Sequence, residues 1–493
     1  MRLSELLKNI RIISGTVQGD PEIAAVCSDT RRVEKDSLFV CFKRLNFDPH
    51  QYASQIVADG AKVIVSEKKL PDSIPHLVIE QPRAALALIL SNFYSAPQNS
   101  FDYSVAITGT NGKTSTSMMI REIFRKAGIK TGLVGTMKYL IGDEEYPVDK
   151  SGAVLTTPDP QILFPLLAKM REENVKVLIM EASSHALKLD KLSGMHYDLG
   201  IFTNLTQDHL DFHKDMDDYL ASKKKLFTMC DKALVNRDDL SFSKIVKDIP
   251  CPLVTYSARG SNEADYIAKN VRLKGAEGVG YELLSREGIF RVSVPIPGEF
   301  TVNNSLAACA CAMELGMSQS AVCDALSAMP SVKGRIDRVG IDAPYSVFID
   351  FAHTPDALEN VLTTVRGFAQ GRIITVFGCG GDRDKKKRPL MGEVAGRLSD
   401  LVVVTSDNSR SEEKEDIIRD IIPGLKDARC PWETVVDRTQ AIHRAMDLAL
   451  PDDVIVLAGK GHEEYEIDKT GKHPYSERDV VIAYYSQIKG QSK

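Results

Sequence analysis

The chain has 493 residues, which allows about three domains at the usual size of roughly 100–200 residues each. Hydrophobic residues make up 43% and charged residues 26%, so the composition is that of a globular protein that needs no disulfide or metal staples. A formal net charge of -5 disfavours a general nucleic-acid-binding protein, because such proteins are usually basic.

Cysteine usage and the first residues indicate a cytoplasmic protein. The nine cysteines show neither paired CxxC spacing nor the density of a disulfide scaffold, so we expect reduced, mostly buried thiols. The start, MRLSELLKNIRIISG, is predicted to form a short amphipathic helix and lacks the long apolar core of a signal peptide. No run of about 18 apolar residues occurs, and we expect no membrane span.

The first segment, residues 1–99, is predicted to form a small α/β domain. Short strands are indicated by DSLFVCF and AKVIVSE, and a helix is indicated by PRAALALILSNFYSA. The stretch SAPQNS that follows this helix is rich in turn-forming residues and predicts a domain boundary.

The second segment, residues 100–330, alternates strand and helix patterns. SVAITGT predicts a strand that runs into a glycine loop, and TSMMIREIFRKAG predicts the helix after it. Two further buried strands are indicated by VKVLIME and DLGIFTNL, while GEFTVNNSLAACACAMELG is typical of a loop followed by a helix. We expect a central domain of the P-loop type with a mostly parallel sheet.

The third segment, residues 331–493, begins near MPSVKGRID and predicts a Rossmann-like domain. Buried strands are indicated by SVFIDFAHT, RIITVFGCGG, DLVVVTSDN and DVIVLAGKGH, with apolar helices such as PDALENVLTTVRGF between them. Ligands of parallel α/β sheets bind beyond the carboxyl ends of the strands. In the second and third segments those ends carry GTNGKT, EASSH, DFAHT, GCGGDRD, SDNSR and GKGHEE.

A phosphate-binding loop is predicted at Thr108–Thr114, which has the sequence TGTNGKT. Its glycines allow the backbone to approach a phosphate, and the helix start together with Lys113 supplies positive charge. The Thr114 hydroxyl is placed to bind Mg²⁺. The loop is not a standard Walker A motif, because that motif would need glycine at Ile107. The alternative is a glycine turn with a surface lysine.

GTNGKT without the leading glycine resembles the loop of the Mur ligase and folylpolyglutamate synthase superfamily. Six further blocks are similar to the Mur ligase family in the same order: MEASSHAL (180–187), FTNLTQDHLDFH (202–213), DFAHTPDAL (350–358), GCGGDRDKKKRPLMG (378–392), DNSR (407–410) and GKGHE (459–463). The resemblance implies a three-domain, monomeric enzyme of the bacterial cytoplasm that forms an amide bond. A substrate carboxylate would attack the γ-phosphate of ATP to give an acyl phosphate. The amine of the incoming amino acid would then attack the acyl carbon and displace phosphate.

The resemblance also implies residues for ATP, Mg²⁺ and catalysis. Lys113, Lys223 and His353 are the expected catalytic residues, and Lys223 would be carbamylated by CO₂. The expected Mg²⁺ ligands are Thr114, Glu181, His209 and the Lys223 carbamate. The expected ATP contacts are Gly109, Thr110, Asn111, Gly112, Lys113, Thr114, Asn304, Arg335 and Asp350, with Asn304 in the loop before LAACA.

Several of these residues have plainer alternatives. Lys223–Lys225 taken by itself is typical of a solvated helix face, and Glu181 is an acid at a strand end. His209 is a loop histidine that a neighbouring aspartate, Asp208 or Asp211, would hydrogen-bond. His353 either orders phosphate or caps the helix that starts near Pro355.

For the acceptor substrate, the resemblance implies UDP-N-acetylmuramoyl-L-alanyl-D-glutamate. The matching positions are Ser28, Thr30, Thr156, Thr157, Ser183 and Lys191. The family usually has glutamine and arginine where this chain has Leu189 and Lys191, and lysine still pairs with phosphate although it lacks the guanidinium fork. The segment Leu45–Phe47 aligns with uridine-binding positions but departs from the usual glycine-rich form.

For the incoming amino acid, Arg410 indicates meso-diaminopimelate. Relatives that use this diamino acid have Asp-Asn-Pro-Arg, and their arginine pairs with its distal carboxylate; lysine-adding relatives lack that arginine. A guanidinium–carboxylate pair is a strong discriminator. This chain has serine in place of the proline, and proline mainly shapes the loop. The expected contacts are Arg383, Asp407, Asn408, Ser409, Arg410, Gly459 and Glu463.

Four other functions remain open from the sequence. The same ligation with L-lysine would fit if Arg410 were a surface arginine. A folylpolyglutamate synthase shares the phosphate loop, but the SDNSR and GKGHE blocks and the extra first domain argue against it. An ATP-driven switch protein would hydrolyse ATP without an acceptor carboxylate. A non-catalytic binding protein is disfavoured because Thr114, Glu181, His209 and Lys223 are all present.

Overall fold

The computed structural model describes residues 1–44, 47–147 and 155–491. Its first part is a sheet of five strands in the order β1-β5-β4-β3-β2, in which only β1 runs antiparallel to its neighbour. Alternate residues of β3 pack into different cores, with Leu38 on one face and Phe39 on the other. The elements are α1 (Leu3–Leu6), β1 (Ile12–Gly15), β2 (Ala25–Cys27), β3 (Ser37–Cys41), α2 (Ala53–Ala58), β4 (Ala61–Ser66), β5 (His76–Ile79) and α3 (Pro82–Phe93).

The central part begins with the strand that carries the phosphate loop. The sequence predicted β6, α4, β10 and β11 at their observed places. The first elements are β6 (Tyr103–Thr108), α4 (Lys113–Lys126), β7 (Thr131–Val134), β8 (Tyr139–Ile141), β9 (Glu144–Glu145), α5 (Pro160–Glu172), β10 (Val177–Glu181), α6 (Ser184–Lys188), β11 (Tyr197–Phe202) and α7 (Met216–Lys224). The others are β12 (Cys230–Asn236), α8 (Phe242–Val246), β13 (Leu253–Ser257), β14 (Tyr266–Leu273), β15 (Val279–Ser285), β16 (Gly288–Val294), α9 (Glu299–Glu314) and α10 (Gln319–Ser327).

The central sheet is mixed. Its strand order is β16-β15-β14-β13-β12-β11-β6-β10-β7-β8-β9. Parallel pairs such as β6–β10 and β13–β14 lie inside, as the sequence predicted. Antiparallel pairs at both margins, β14–β15–β16 and β7–β8–β9, were not foreseen.

One predicted loop is a helix. The prediction placed Asn304 in a loop before LAACA, but α9 already starts at Glu299 and Asn304 lies in its second turn. The prediction was wrong because the polar run Thr301–Asn304 lacks the apolar period of a helix. The Thr301 hydroxyl donates to the Pro297 carbonyl at 2.9 Å, which satisfies a carbonyl at the helix start.

The carboxyl-terminal part is a six-stranded sheet in the order β17-β18-β22-β19-β20-β21, parallel except for β17. Helices cover both faces, since Val456 packs into one core and its neighbour Leu457 into the other. The elements are β17 (Asp337–Arg338), β18 (Ser346–Asp350), α11 (Pro355–Arg366), β19 (Ile373–Phe377), α12 (Lys387–Leu398), β20 (Leu401–Val404), α13 (Lys414–Ile421), β21 (Trp432–Thr434), α14 (Arg438–Leu448), β22 (Val454–Ala458), the hairpin β23 (Tyr465–Asp468) and β24 (Gly471–Pro474), and α15 (Glu477–Gln491).

The register of this sheet brings its loops together. Asp350 and Phe377 both pair with Ala458, and Phe377 also pairs with Val404. The strands therefore end level with one another, and the loops that follow them lie at one edge. The predicted α/β class with three sheet-based parts is confirmed.

By contacts, the residues divide into two compact units. The first comprises Met1–Thr108, Gly128–Gly200 and Ser222–Lys232, and the second comprises Gly109–Ala127, Ile201–Ala221 and Ala233–Lys493. Most of the phosphate loop and the whole carboxyl-terminal sheet belong to the second unit. The three domains with boundaries after residues 99 and 330 stay a prediction. Within the described ranges 1–44, 47–147 and 155–491, no helix combines the length and the apolarity that crossing a membrane requires.

Candidate active site

The phosphate loop requires glycine at two positions. Gly109 has φ +151° and Gly112, which caps α4, has φ +85°. A Cβ atom at Gly109 would overlap the Thr203 hydroxyl, and one at Gly112 would overlap the Asn304 side-chain oxygen. At these two positions the loop backbone is therefore not covered by a side chain, as a phosphate site needs, and Asn304 lies directly beside Gly112.

Cationic and hydroxyl groups line this loop. The Lys113 ammonium donates to the carbonyls of Gly109 and Thr110 at 2.8 Å each, which holds its positive charge over the loop. Thr114 is buried in the first turn of α4. The alternative of a glycine turn with a surface lysine does not fit Lys113, because its ammonium folds back onto the loop carbonyls.

Asn111 is fixed by residues whose role the sequence did not reveal. The Asn204 side-chain oxygen accepts from the Asn111 N–H at 2.9 Å, and the Thr203 hydroxyl donates to the Asn111 carbonyl at 2.7 Å. The Asn111 side chain donates to the Asp356 carboxylate at 2.8 Å, at the start of α11. Burial raises the pKa of Asp356.

Asp208 is a buried carboxylate that one ammonium and two imidazole rings surround. Its oxygens lie 3.3 Å from the Lys387 ammonium, 3.3 Å from the His209 ring and 3.7 Å from the His353 ring. Burial opposes its ionisation, but Lys387 and the two rings outweigh burial and hold the pKa of Asp208 well below its ordinary value. The contact foreseen between His209 and Asp208 is present, and Asp208 and Lys387 are functional candidates that the sequence reasoning missed.

His353 does not cap α11. The cap is Thr354, whose side chain accepts from the Ala357 N–H at 3.2 Å. The His353 ring instead makes a 3.0 Å hydrogen bond with the Phe351 carbonyl and turns its other nitrogen toward Asp208. The capping alternative is therefore wrong, because threonine is the better cap and stands one residue nearer to the helix.

Arg335 is half-buried, and its charge acts on the buried carboxylate of Asp350. The Arg335 guanidinium lies 5.0 Å from the centre of the Phe351 ring, and the Asp350 carboxylate accepts from the Ile336 N–H at 2.7 Å. Burial raises the pKa of Asp350 to about 6, although Arg335 opposes this shift.

In the first unit, several hydroxyl groups lie around Glu181. We call Thr136, Thr156, Thr157, Glu181 and Ser183 the hydroxyl cluster. The Thr136 hydroxyl donates to the Glu181 carboxylate at 2.7 Å and lies 3.1 Å from the Thr156 hydroxyl. Thr157 donates to the Glu181 carbonyl at 2.7 Å and accepts from the Ser183 N–H at 2.9 Å. The cluster fixes Glu181 at the end of β10, where only 1% of its surface is exposed.

Thr136 was not predicted. It follows Gly135, where a Cβ atom would overlap the Glu181 carboxylate. The available signal was GT directly after the strand TGLV, at the carboxyl end of β7 beside β10.

Lys223 is buried, so the solvated-face alternative is wrong for it. Only 1% of its surface is exposed, whereas Lys224 is half-buried and Lys225 is exposed. Successive residues of a helix point about 100° apart, so a run of lysines need not share one environment. A lysine this deep is rare unless its charge is paired or removed.

The other predicted acceptor residues are spread over the first unit. The Ser28 hydroxyl donates to the Gln161 side chain at 3.2 Å, and its carbonyl accepts from Arg44 at 2.8 Å. Thr30 begins a short 3₁₀ turn. Lys191 forms a 2.6 Å ion pair with Asp159. Leu189 ends α6 and is half-buried, and of the segment Leu45–Phe47 the first two residues lie outside the described ranges.

In the second unit, the loops after β19, β20 and β22 carry a group of polar and charged side chains. We call this group the charged pocket: Arg383, Asp407, Asn408, Arg410, Lys460 and Glu463. Asp407, Asn408 and Ser409 are buried, while Arg410 is half-buried with φ +52°. The Arg410 guanidinium donates to the carbonyls of Gly381 at 2.8 Å and Asn408 at 3.3 Å. Arg383 is exposed, and its guanidinium donates to the Asp382 carbonyl at 3.1 Å.

The charges of this pocket shift one another. Burial, followed by repulsion from Arg383, lowers the pKa of Arg410. Burial and the nearby Asp407 raise the pKa of Glu463. Burial also opposes ionisation of Asp407, yet Lys460 and Arg438 outweigh it and lower its pKa. The charged pocket thus combines two guanidinium groups with one carboxyl group whose pKa is raised.

Glycines let these loops approach each other. Gly459 has φ +120°, and a Cβ atom there would lie 2.6 Å from the Asp407 carboxylate. A Cβ atom at Gly381 would overlap the Ser409 carbonyl. The predicted glycine at position 459 is thus needed for the closeness of the two loops.

Two buried arginines stabilise the loops of the charged pocket, and neither was predicted. Arg388 pairs with Glu412 at 2.8 Å, and Glu412 also accepts from the Asp382 N–H at 2.7 Å. Arg438 pairs with Glu477 at 2.8 Å and donates to the carbonyls just before Asp407 and Gly459, those of Ser406 at 3.0 Å and Ala458 at 2.9 Å. Arg388 lies in KKKRP, which by itself is typical of a solvated run.

Mg²⁺ was expected from the sequence. Two of the expected ligands offer oxygen atoms, which a hard cation prefers. Glu181 offers buried carboxylate oxygens and Thr114 a hydroxyl at a helix start. Within residues 1–44, 47–147 and 155–491, no three His, Cys, Asp or Glu side chains converge as a metal-binding set. The expected set has only two such residues, Glu181 and His209.

Comparison with known proteins shows the family to which the chain belongs. Residues 107–312 match the Mur ligase middle domain, and residues 334–461 match the domain described as Mur ligase, glutamate ligase domain. Proteins described as UDP-N-acetylmuramoyl-L-alanyl-D-glutamate--2,6-diaminopimelate ligase are similar over almost the whole chain. The one from Bacillus velezensis is 40% identical over 98% of both chains, and the one from Clostridioides difficile is 39% identical over 99% of this chain and 100% of its own.

Solved structures extend the likeness to the fold. A structure of a ligase with the same description has a TM-score of 0.69 at 28% identity and covers 100% of this chain and 99% of its own. The folylpolyglutamate synthase of Mycobacterium tuberculosis has a TM-score of 0.63 at 18% identity, over 83% of this chain and 95% of its own, which shows the fold alone.

The fold and the phosphate loop are those of an ATP-dependent, amide-forming ligase, and the chain belongs to the Mur ligase family. Within that family it is of the MurE type, which acts in peptidoglycan synthesis.

Proposed function

We propose that the protein adds meso-diaminopimelate to UDP-N-acetylmuramoyl-L-alanyl-D-glutamate in the bacterial cytoplasm, with ADP and phosphate as the other products. The observation that carries the choice of amino acid is the charged pocket. Arg383 and Arg410 lie close enough for one to lower the pKa of the other, and Glu463 lies beside them. Meso-diaminopimelate has two carboxylates and a distal ammonium to match, whereas L-lysine has one carboxylate fewer.

The residues of the chain have distinct parts in this proposal. The phosphate loop and Lys113 hold the phosphates of ATP while the acceptor carboxylate attacks the terminal phosphate. Arg383 holds the α-carboxylate of the diamino acid, Arg410 its distal carboxylate and Glu463 its distal ammonium. Holding the α-amine in place turns the displacement of phosphate into a step between two oriented groups.

The proposal includes Mg²⁺, bound by Thr114, Glu181, His209 and Lys223 as its carbamate. The ion would neutralise the crowded phosphate charge. Glu181 supports this because the hydroxyl cluster fixes its carboxylate in one orientation. Lys223 supports it because burial disfavours an ordinary solvated ammonium.

The first experiment measures phosphate release from ATP by the purified protein with Mg²⁺, bicarbonate and the UDP-linked dipeptide. The amino acid is meso-diaminopimelate, L-lysine or none. We expect release with meso-diaminopimelate to exceed release with lysine by about 100-fold, since the second carboxylate forms a paired, charge-assisted contact.

The other outcomes separate the alternatives. Equal or better turnover with lysine would keep the ligase and refute the assignment of Arg410. Turnover that ignores the acceptor would indicate an ATP-driven switch, and turnover with a folate and glutamate would indicate a folylpolyglutamate synthase. No turnover with any acceptor would indicate a binding protein.

A further inference from the structure

Lys460 is the most enclosed cation of the charged pocket. Its side chain is 0% exposed, and its ammonium donates to the Asn408 side-chain oxygen at 3.0 Å and to the Tyr465 carbonyl at 3.1 Å. It also lies 3.5 Å from the Asp407 carboxylate. The sequence placed Lys460 in the GKGHE block without giving it a role.

The contacts of Lys460 decide which way the Asn408 amide faces. An ammonium only donates hydrogen bonds, and so does a backbone N–H. Both the Lys460 ammonium and the Ile467 N–H, the latter at 2.9 Å, reach the same atom of Asn408, which must therefore be the oxygen. The amide nitrogen is left to point the other way.

The Asn408 nitrogen in turn orients Glu463. It donates to one carboxylate oxygen of Glu463 at 2.8 Å, and the Tyr465 hydroxyl donates to the other at 3.2 Å. Glu463 is thus held by two donors, and one of them depends on the ammonium of Lys460. The backbone N–H of Arg410 donates to the Ile467 carbonyl at 3.0 Å, so the Arg410 loop also contacts the hairpin β23–β24.

We propose that Lys460 is a positioning residue for the incoming amino acid. Through Asn408 it fixes the Glu463 carboxylate for the distal ammonium. Lys460 itself touches no substrate. This inference rests on the proposed function, because it assigns the parts of the same pocket.

The test compares Lys460→Met with the matched control Lys414→Met. Lys414 is also paired, at 2.8 Å with Glu466 of the same hairpin, but it is 30% exposed and lies outside the charged pocket. For Lys460→Met we expect the KM for meso-diaminopimelate to rise about tenfold or more, with the KM for ATP and for the UDP-linked dipeptide within about twofold. Lys414→Met should leave all three KM values unchanged.

A double variant distinguishes positioning from general support of the fold. If Lys460 acts through Glu463, Lys460→Met together with Glu463→Gln raises the KM for meso-diaminopimelate no further than Glu463→Gln alone. Effects that multiply would overturn the proposal, as would an unchanged KM in Lys460→Met.

A second route remains if Lys460→Met does not fold. Asn408→Asp keeps an oxygen for Lys460 but removes the donor to Glu463, so the same KM should rise by a similar factor. A KM equal to that of the wild type would refute the chain of contacts. Wild-type protein that fails to use meso-diaminopimelate refutes the proposed function instead, and that is seen before any variant is made.

Discussion

The hydroxyl cluster and the charged pocket both hold polar groups in place. The first does so mainly with hydroxyl hydrogen bonds and the second with paired charges. In the hydroxyl cluster, the Thr136 hydroxyl donates to the Glu181 carboxylate and the Thr157 hydroxyl to the Glu181 carbonyl, and each of these hydroxyls also contacts a further hydroxyl. In the charged pocket, carboxylates and cations shift one another's pKa values. Neutral hydrogen bonds fix a shape that hardly depends on pH or salt, whereas paired charges select a ligand by its charges and respond to pH.

The largest effect on turnover is expected at Glu181, the charged residue of the hydroxyl cluster. Glu181→Gln keeps the shape but removes the charge proposed to bind Mg²⁺, so kcat should fall at least about 100-fold. Steady-state kinetics measures this, with the exposed Glu172→Gln of the same unit as control. A fall of less than about threefold would show that the cluster supports structure only.

In the charged pocket, Arg410→Ala should alter selectivity more than turnover. Loss of a charge-assisted pair worth roughly 1.5–3 kcal/mol should lower the preference for meso-diaminopimelate over L-lysine by about 10- to 100-fold. The ratio of kcat/KM values for the two amino acids measures it, and Arg419→Ala, which is largely exposed on α13, is the control. An unchanged ratio would remove Arg410 from the choice of amino acid.

The two regions should also differ in pH dependence. Because burial and the nearby Asp407 raise the pKa of Glu463, this carboxyl group gains its proton at a higher pH than an exposed glutamate does, and a neutral acid does not pair with an ammonium. The KM for meso-diaminopimelate should therefore rise as the pH is lowered, and Glu463→Gln should flatten the profile. A rise of the same size in Glu463→Gln would assign the titration to another group.

The smallest effect is expected for a single hydroxyl. Thr157→Val removes the hydrogen bonds to Ser183 and to the Glu181 carbonyl, so unfolding should become easier by about 1–2 kcal/mol and the KM for the UDP-linked dipeptide should rise about threefold. Urea unfolding and kinetics measure this, with Thr228→Val on an exposed turn as control. An unchanged free energy of unfolding together with an unchanged KM would show that the Thr157 hydroxyl contributes to neither.

Much of the fold was predictable because the strongest local sequence patterns belong to the strands that are buried on both faces of the sheets. Near-continuous apolar strands ending in glycine and polar loops gave the parallel parts of the sheets and the edge at which the motif residues lie. The antiparallel margins of the central sheet have weaker patterns. Asn304 was misplaced because a polar run hides the first turns of a helix whose start is set by Gly298 and Thr301.

The site was less predictable where burial decides the role of a residue. Lys223, Lys387 and Arg388 stand in runs of basic residues that suggest solvent, yet each is buried while neighbours in its run are not. Which face of a helix meets the protein is a tertiary property, and composition does not encode it. Thr136 and Asp208 contact their partners across long separations in sequence, so only the folded chain brings them into view.

The pair between Arg438 and Glu477 connects the last helix to the loops of the charged pocket. Glu477 is the first residue of α15, while the guanidinium it neutralises supports the carbonyls immediately before Asp407 and Gly459. A premature stop codon ahead of α15 would leave that guanidinium buried without its counter-ion, at a cost of about 3–5 kcal/mol. A nonsense mutation that spares every motif would therefore still distort the pocket that we propose for the amino acid.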